Sequence, residues 1–206
     1  MRRPRVYPAF KRAFDLAAAA AGIAVAAPAL AVIAAAVRLD SPGPVLYLGR
    51  RTGLHGKPFQ MFKFRTMVTD AERVGGPSTG LDDPRVTRVG RVLRRYKLDE
   101  LPQLINVLRG EMSLVGPRPE VPQYTAEYRG DETLILTVKP GITDYASLHF
   151  IRLDEALGSH EPDRVYEEQV RPVKNALRVR YAREQGFATD MRILVRTMRK
   201  LLPRAR

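Results

Sequence analysis

Two adjacent carboxylates, Asp99 and Glu100, stand in a stretch crowded with cations. Arg91, Arg94, Arg95 and Lys97 precede them, Arg118 follows between two prolines, and Lys63 and Arg65 lie upstream. A carboxylate inside a cationic cluster is expected to have a depressed pKa and to stay ionised. Such a group can hold Mg²⁺ together with phosphate oxygens, or attack phosphorus as a nucleophile. The cations would stabilise negative charge on a phosphoryl group in transfer. The plainer reading is helix capping. Asp99 stands where an N-cap belongs, Pro102 falls in the first turn, and a helix N-terminus favours acids. The pair alone does not choose between these readings.

The rest of the chain must position that stretch. Its 206 residues suit one domain of ordinary size, with or without an appended element, and a net charge of +13 points to polyanionic partners. Absence of cysteine removes disulfides, thiolate metal sites and cysteine nucleophiles, and three histidines argue against a His-rich metal centre. From Leu16 to Val37 there are 22 uncharged residues, 13 of them alanine. As a helix this segment is roughly 33 Å long, enough to span a hydrocarbon core.

Several readings of that segment compete. A secretory leader has this charge order, with small residues around Ala26-Ala27-Pro28-Ala29. A straight transmembrane helix is opposed by Pro28 near its middle and by basic flanks on both sides. A helix that enters the bilayer, breaks at Pro28 and returns fits both observations, and is the preferred reading. A buried soluble helix is the remaining one.

Beyond Ser41-Pro42-Gly43-Pro44, the runs Val45–Leu48 and Phe59–Phe64 flank Gly53-Leu54-His55-Gly56 and predict a β-hairpin. Residues 69–84 read as loop, with Gly75-Gly76-Pro77-Ser78 inside it. Leu98, Leu101, Leu104, Ile105 and Leu108 predict a helix face that Gly110 terminates, and 113–119 reads as a stiff loop displaying Arg118. A longer helix is expected over 162–185. The last segment sets Phe187, Met191, Leu194, Val195, Met198, Leu201 and Leu202 against Arg192, Arg196, Arg199 and Lys200. That pattern suits a helix on an anionic membrane surface or one packed on the domain with a solvated basic face. His149, between Leu148 and Phe150, reads as structural, and His55 and His160 carry no signal.

Taken together, the motifs resemble the small monotopic phosphoglycosyl transferases, a bacterial sugar transferase family that starts glycan assembly on polyprenyl phosphate. The likeness rests on Lys11-Arg12-Ala13-Phe14-Asp15, Lys63-Phe64-Arg65-Thr66-Met67, Asp83–Gly90, Leu98–Gln103, Asn106–Gly110, Met112–Pro119 and Lys139-Pro140-Gly141-Ile142-Thr143. It implies an α+β, mostly helical monotopic membrane protein with an N-terminal re-entrant broken helix, a small β-hairpin and amphipathic interfacial helices. Residues 1–40 would form the basic segment and membrane helix, and 41–206 a catalytic domain on the cytoplasmic face of the inner membrane. The family breaks its helix at a Ser-Pro pair; here Ala27-Pro28 keeps the proline and loses the hydroxyl.

The resemblance assigns Asp99 attack on the β-phosphorus of a UDP-sugar. UMP leaves, and polyprenyl (undecaprenyl) phosphate accepts the phosphosugar in a Mg²⁺-dependent ping-pong scheme. Glu100 would assist as metal or proton partner, with Asp99 and Glu100 the Mg²⁺ ligands. Lys63, Arg94 and Arg118 map onto the family's functional cations, and Arg65, next to Lys63, joins them as a candidate phosphate or nucleotide ligand. Partners would be the UDP-sugar, polyprenyl phosphate and an anionic phospholipid membrane; nucleic acid is not expected, and a homodimer is one option. Where many members continue with Gly-Trp-Ala-Gln, this chain has Asp144-Tyr145-Ala146-Ser147, a difference expected to bear on the sugar or nucleotide. The competing class is a membrane-tethered basic nucleic-acid-binding module, supported by charge but lacking a platform of clustered aromatics.

Overall fold

A computed structural model describes residues 6–75, 79–80 and 82–201. Arg2, Arg3 and Arg5, residues 76–78 and 81 of the expected loop, and Leu202 of the C-terminal stripe lie outside the described residues.

The uncharged run forms the centre of α1, Val6–Asp40, 35 residues long. An 18-residue window within it has mean hydropathy 2.3, so the helix is long and apolar enough to cross a membrane. Only 6% of that window is buried, and Val25 and Val32 stand on its open side. The helix runs on through Pro28, where a break was expected.

Both ends of α1 are tied to the rest of the protein. Near the start, Tyr7 donates to Asp190 Oδ2 at 2.7 Å, Lys11 pairs with the same carboxylate, and Asp15 accepts from Leu114 N at 3.2 Å. Arg12 donates to the carbonyls of Val107 and Leu108. Near the far end, Val37 packs with Phe64 and Leu93, while Ala19 joins Met61, Val107 and Met112 in a second core cluster.

The predicted hairpin is present. β1 (Leu46–Thr52) and β2 (Pro58–Phe64) pair antiparallel, with Tyr47 opposite Lys63. After a single helical turn, α2 (Ala71–Val74), the chain enters α3, Arg88–Arg95. Thr87 caps α3 by accepting from Gly90 N, and Asp40 at the end of α1 accepts from Val89 N at 3.0 Å. A Cβ on Gly90 would lie 2.1 Å from the Thr66 carbonyl, so only glycine lets α3 sit against the strand exit.

The expected helix around Asp99 is divided. Lys97 adopts φ 57, Leu98–Glu100 make a separate 3₁₀ turn, and α4 spans only Gln103–Arg109. Gly110, at φ 83, ends it as expected.

The stiff loop after it begins with a strand. β3 (Ser113–Val115) pairs in parallel with β4 (Gly141–Thr143), a sheet that the sequence reading did not contain. Gly116 and Gly141 approach so closely that a Cβ on Gly141 would lie 2.1 Å from Gly116 N. Short helices α5 (Pro122–Thr125), α6 (Tyr145–His149), α7 (Leu153–Leu157) and α8 (Pro162–Val165) follow.

The expected helix over 162–185 is found as α8, a π turn at Tyr166–Val170, and α9, Arg171–Glu184. The last helix, α10 (Phe187–Leu201), buries Asp190 and Ile193 against the domain. Phe187, Val195 and Met198 remain exposed, and Phe187 meets Phe10 of α1 edge to face at 5.3 Å.

Candidate active site

Each candidate side chain reaches the site on a different element. Lys63 comes from β2, Arg94 from the last turn of α3, Asp99 and Glu100 from the 3₁₀ turn, and Arg118 from the segment after β3. Asn106 on α4 fixes the edge of the hairpin. It is fully buried, accepts from Phe62 N at 3.0 Å and donates to Gln60 O and Glu111 Oε2, each at 2.7 Å. That clamp holds β2 against α4, with Lys63 one residue from the bonded amide.

Glu100 is the paired member of the dyad. Its Oε1 accepts from Arg118 Nη2 at 2.5 Å and from Lys63 Nζ at 3.3 Å. Burial alone would raise its pKa, but Arg118 and Lys63 outweigh burial and hold the carboxyl at about 2. Lys63 is itself drawn below the ordinary lysine value by burial, and the Glu100 charge opposes that.

Asp99 differs on every count. It is buried, its Oδ1 has no hydrogen-bond partner, and it caps no helix. The capping expectation fails because α4 starts at Gln103, beyond Pro102, with no side-chain cap. The expected depressed pKa holds for Glu100 and not for Asp99. Burial pushes Asp99 up, the Glu100 charge adds to this, and Lys63, Arg94 and Lys97 oppose it.

Arg94 supplies a second unsatisfied group, since its Nη1 is buried without a partner. An unpaired buried carboxylate oxygen and an unpaired buried guanidinium nitrogen each cost stability, which marks both as candidates to meet a ligand. Gln103, completely buried four residues after Asp99, also leaves both Oε1 and Nε2 unsatisfied. The sequence presented Gln103 only as part of a motif; the signal that singles it out is burial, which spacing does not reveal.

Arg65 is not brought into the cluster. Its guanidinium donates to the carbonyls of Val37, Ser41 and Pro42, closing the C-terminal end of α1. Arg91 and Arg95 are exposed on α3. His149 is exposed as well, stacked edge to face on Phe150.

The unusual Asp144 lies behind the site. It is fully buried, accepts from Ser147 N at 2.6 Å as the cap of α6, and accepts from Arg118 N at 3.1 Å. Arg118 also donates Nη1 to Ile142 O at 3.1 Å. Deeper still, Arg178 of α9 donates to Glu120 Oε1 at 2.7 Å, and its Nε stands 4.0 Å from Asp144 Oδ2. Tyr166 donates to the same Glu120 oxygen at 2.5 Å. This layer holds the Arg118 backbone through Asp144 and fixes the same segment two residues on through Glu120.

The arrangement offers one free carboxylate with cations converging around it and a second carboxylate locked between Lys63 and Arg118. It can bind a diphosphate and present an oxygen nucleophile to phosphorus. Among the described residues, no group of three or more His, Cys, Asp or Glu forms a metal cage. Mg²⁺ needs only one or two carboxylates when phosphates complete its shell, so Asp99 and Glu100 fit it as a partner of the substrate.

Comparison with known proteins gives the following. A family model described as bacterial sugar transferase matches residues 6–204. A UDP-glucose:undecaprenyl-phosphate glucose-1-phosphate transferase of Caulobacter vibrioides is 38% identical over 203 residues, 93% of this chain and 69% of that protein. The protein of the same description from Escherichia coli is 47% identical over 143 residues, covering 68% of this chain and 31% of that protein. The uncharacterized sugar transferase EpsL of Bacillus subtilis is 37% identical over 192 residues, 93% of this chain and 87% of its own. The match thus reaches less than a third of the Escherichia coli protein and most of EpsL.

Proposed function

The chain belongs to the bacterial sugar transferase family, and from that premise we propose that it transfers a sugar-1-phosphate from a UDP-sugar to undecaprenyl phosphate through an aspartyl intermediate. The single observation that carries the mechanism is Asp99 Oδ1, buried without a partner while Glu100 is locked in ion pairs.

In the first half-reaction Asp99 attacks the β-phosphorus, and the bond from that phosphorus to the bridging oxygen breaks. UMP departs with the electron pair. In the second, an oxygen of polyprenyl phosphate attacks the same phosphorus and the Asp99 carboxylate leaves, giving polyprenyl-diphosphate-sugar. Arg118 and Lys63 hold the Glu100 charge in place and present remaining N–H groups to phosphate oxygens, while Arg94 faces the site with an unsatisfied donor. Mg²⁺, held by Glu100 or Asp99 and the donor phosphates, would neutralise charge on the departing nucleotide.

We further propose that α1 dips into the cytoplasmic leaflet of the inner membrane and returns. Pro28 has no N–H, so the Ala24 carbonyl lacks its usual intrahelical partner at mid-helix. The 35 residues amount to about 52 Å of helix, more than a bilayer core of about 30 Å requires. Both flanks are basic, and both ends meet the same domain.

The test is a UMP-release assay over a panel of UDP-sugars, with intact-mass measurement of the protein when the acceptor is withheld. One sugar should give UMP and a protein heavier by one phosphosugar, and Asp99→Asn should give neither. Transfer by Asp99→Asn at the native rate would overturn the nucleophile assignment. Transfer unchanged by EDTA would remove Mg²⁺.

A further inference from the structure

A separate cleft of about 440 Å³ opens between α6, α9 and α10. Leu148 and Leu177 give it an apolar floor, and Tyr145 and His149 form one wall. Arg196, Arg199 and Lys200 of α10 form the other. Lys200 donates to the Leu148 carbonyl at 2.7 Å, which fixes its charge at the C-terminal end of α6. Among the described residues, neither Arg196 nor Arg199 makes a salt bridge or a hydrogen bond to a carboxylate. Glu184 of α9 receives Tyr145 and Arg180.

The geometry of α10 says what approaches. At about 100° per residue, three faces follow one another round the helix. Asp190, Ile193 and Thr197 face the domain; Phe187, Val195 and Met198 form an exposed apolar face; Arg192, Arg196 and Arg199 form the basic one. The apolar face continues onto α1 through the Phe10–Phe187 contact. With that face in lipid, the basic face and the cleft beside it stand at the depth of the headgroups.

We propose that this cleft is a binding site for an anionic phospholipid, with the headgroup phosphate between Arg196, Arg199 and Lys200 and the upper acyl chain over Leu148 and Leu177. The site is distinct from the Asp99 cluster and does not depend on the transfer reaction. It would fix the height and tilt of the domain against the bilayer by one seated lipid, in addition to diffuse attraction of the basic surface.

Native mass spectrometry of the full chain, released from neutral detergent after exposure to phosphatidylglycerol or phosphatidylcholine, tests this. One phosphatidylglycerol should be retained in preference to phosphatidylcholine. Arg196→Gln with Arg199→Gln should weaken retention about 25-fold, each basic residue near an anionic headgroup being worth about a fivefold factor. Leu177→Trp, which fills the cleft at constant charge, should also abolish the adduct. Arg152→Gln with Arg183→Gln, a loss of two exposed ion-paired charges elsewhere, should not. Equal retention by the native protein and the Arg196/Arg199 variant would overturn the proposal. So would displacement of the lipid by inorganic phosphate or by equimolar polyprenyl phosphate.

Discussion

Two clusters of buried charge meet at Arg118, and they are finished differently. Around Glu120, the acids are each matched: Arg178 pairs with Glu120 and approaches Asp144, Tyr166 donates to Glu120, and Asn175 accepts from Arg178, although Arg178 Nε itself makes no hydrogen bond. Burial alone would raise the Glu120 carboxyl, yet Arg178 and Lys174 hold it at about 2. Around Asp99, by contrast, a carboxylate oxygen and a guanidinium nitrogen are both left over. A closed network fixes geometry, whereas an open one keeps capacity for a ligand. Arg118 belongs to both, its side chain to the open cluster and its backbone N–H to the closed one.

That contrast can be broken by mutation. Asp99→Asn should lower turnover about 10⁴-fold or more while leaving the thermal midpoint unchanged or higher, because the lost charge was unpaired. A marked fall in midpoint would place Asp99 among the structural charges. Arg178→Met should do the reverse, destabilising by about 3–5 kcal/mol in urea titration because Glu120 and Asp144 lose their counter-charge. Unchanged stability there would mean that Pro117 and Pro119 hold Arg118 without this support.

Smaller effects sharpen the comparison. Arg94→Gln should cost about 10²-fold in kcat/KM with little change in urea midpoint, the scale of one lost donor to a developing charge. Equal loss of stability and activity would refute a ligand-facing role.

Lys174, buried against the Tyr166 ring, belongs to the closed side. Burial lowers its pKa from 10.5 to about 7, with Arg178 acting in the same direction. The unfolded chain therefore binds this proton over a range where the folded chain has released it. The resulting cost is absent above pH 10.5, grows as pH falls, and is complete below about 7. Lys174→Met should accordingly stabilise more near pH 6 than near pH 9, by on the order of 2 kcal/mol. A pH-independent effect would show that the ammonium is not desolvated.

How much of this could be read in the sequence varies from residue to residue. The hairpin was legible from short apolar runs around a glycine loop, and α9 and α10 from helical spacing. The β3–β4 pair was not, since three-residue strands carry no periodicity and only their glycines mark the close approach. Lys63 and Arg65, two residues apart, share a face only if the strand continues, but β2 ends at Phe64 and Arg65 turns to the end of α1. The capping alternative for Asp99 could not be discarded from the sequence, because nothing in it signals a left-handed lysine at position 97. Glu120, Asp144 and Arg178 assemble from three distant segments, so their pairing exists only in the fold.

The locking of α1 also sets an order of assembly. Tyr7 and Lys11 find their partner in Asp190, with Tyr7 separated from it by 183 positions. Arg12 and Asp15 meet partners near the middle of the chain. A ribosome completes this apolar helix long before it reaches the carboxylate that fastens it. Throughout that interval the helix is without its N-terminal clasp. Contacts of such sequence separation are slow to form. Refolding should therefore be limited by the docking of α10, and substitutions at Asp190 should slow it most.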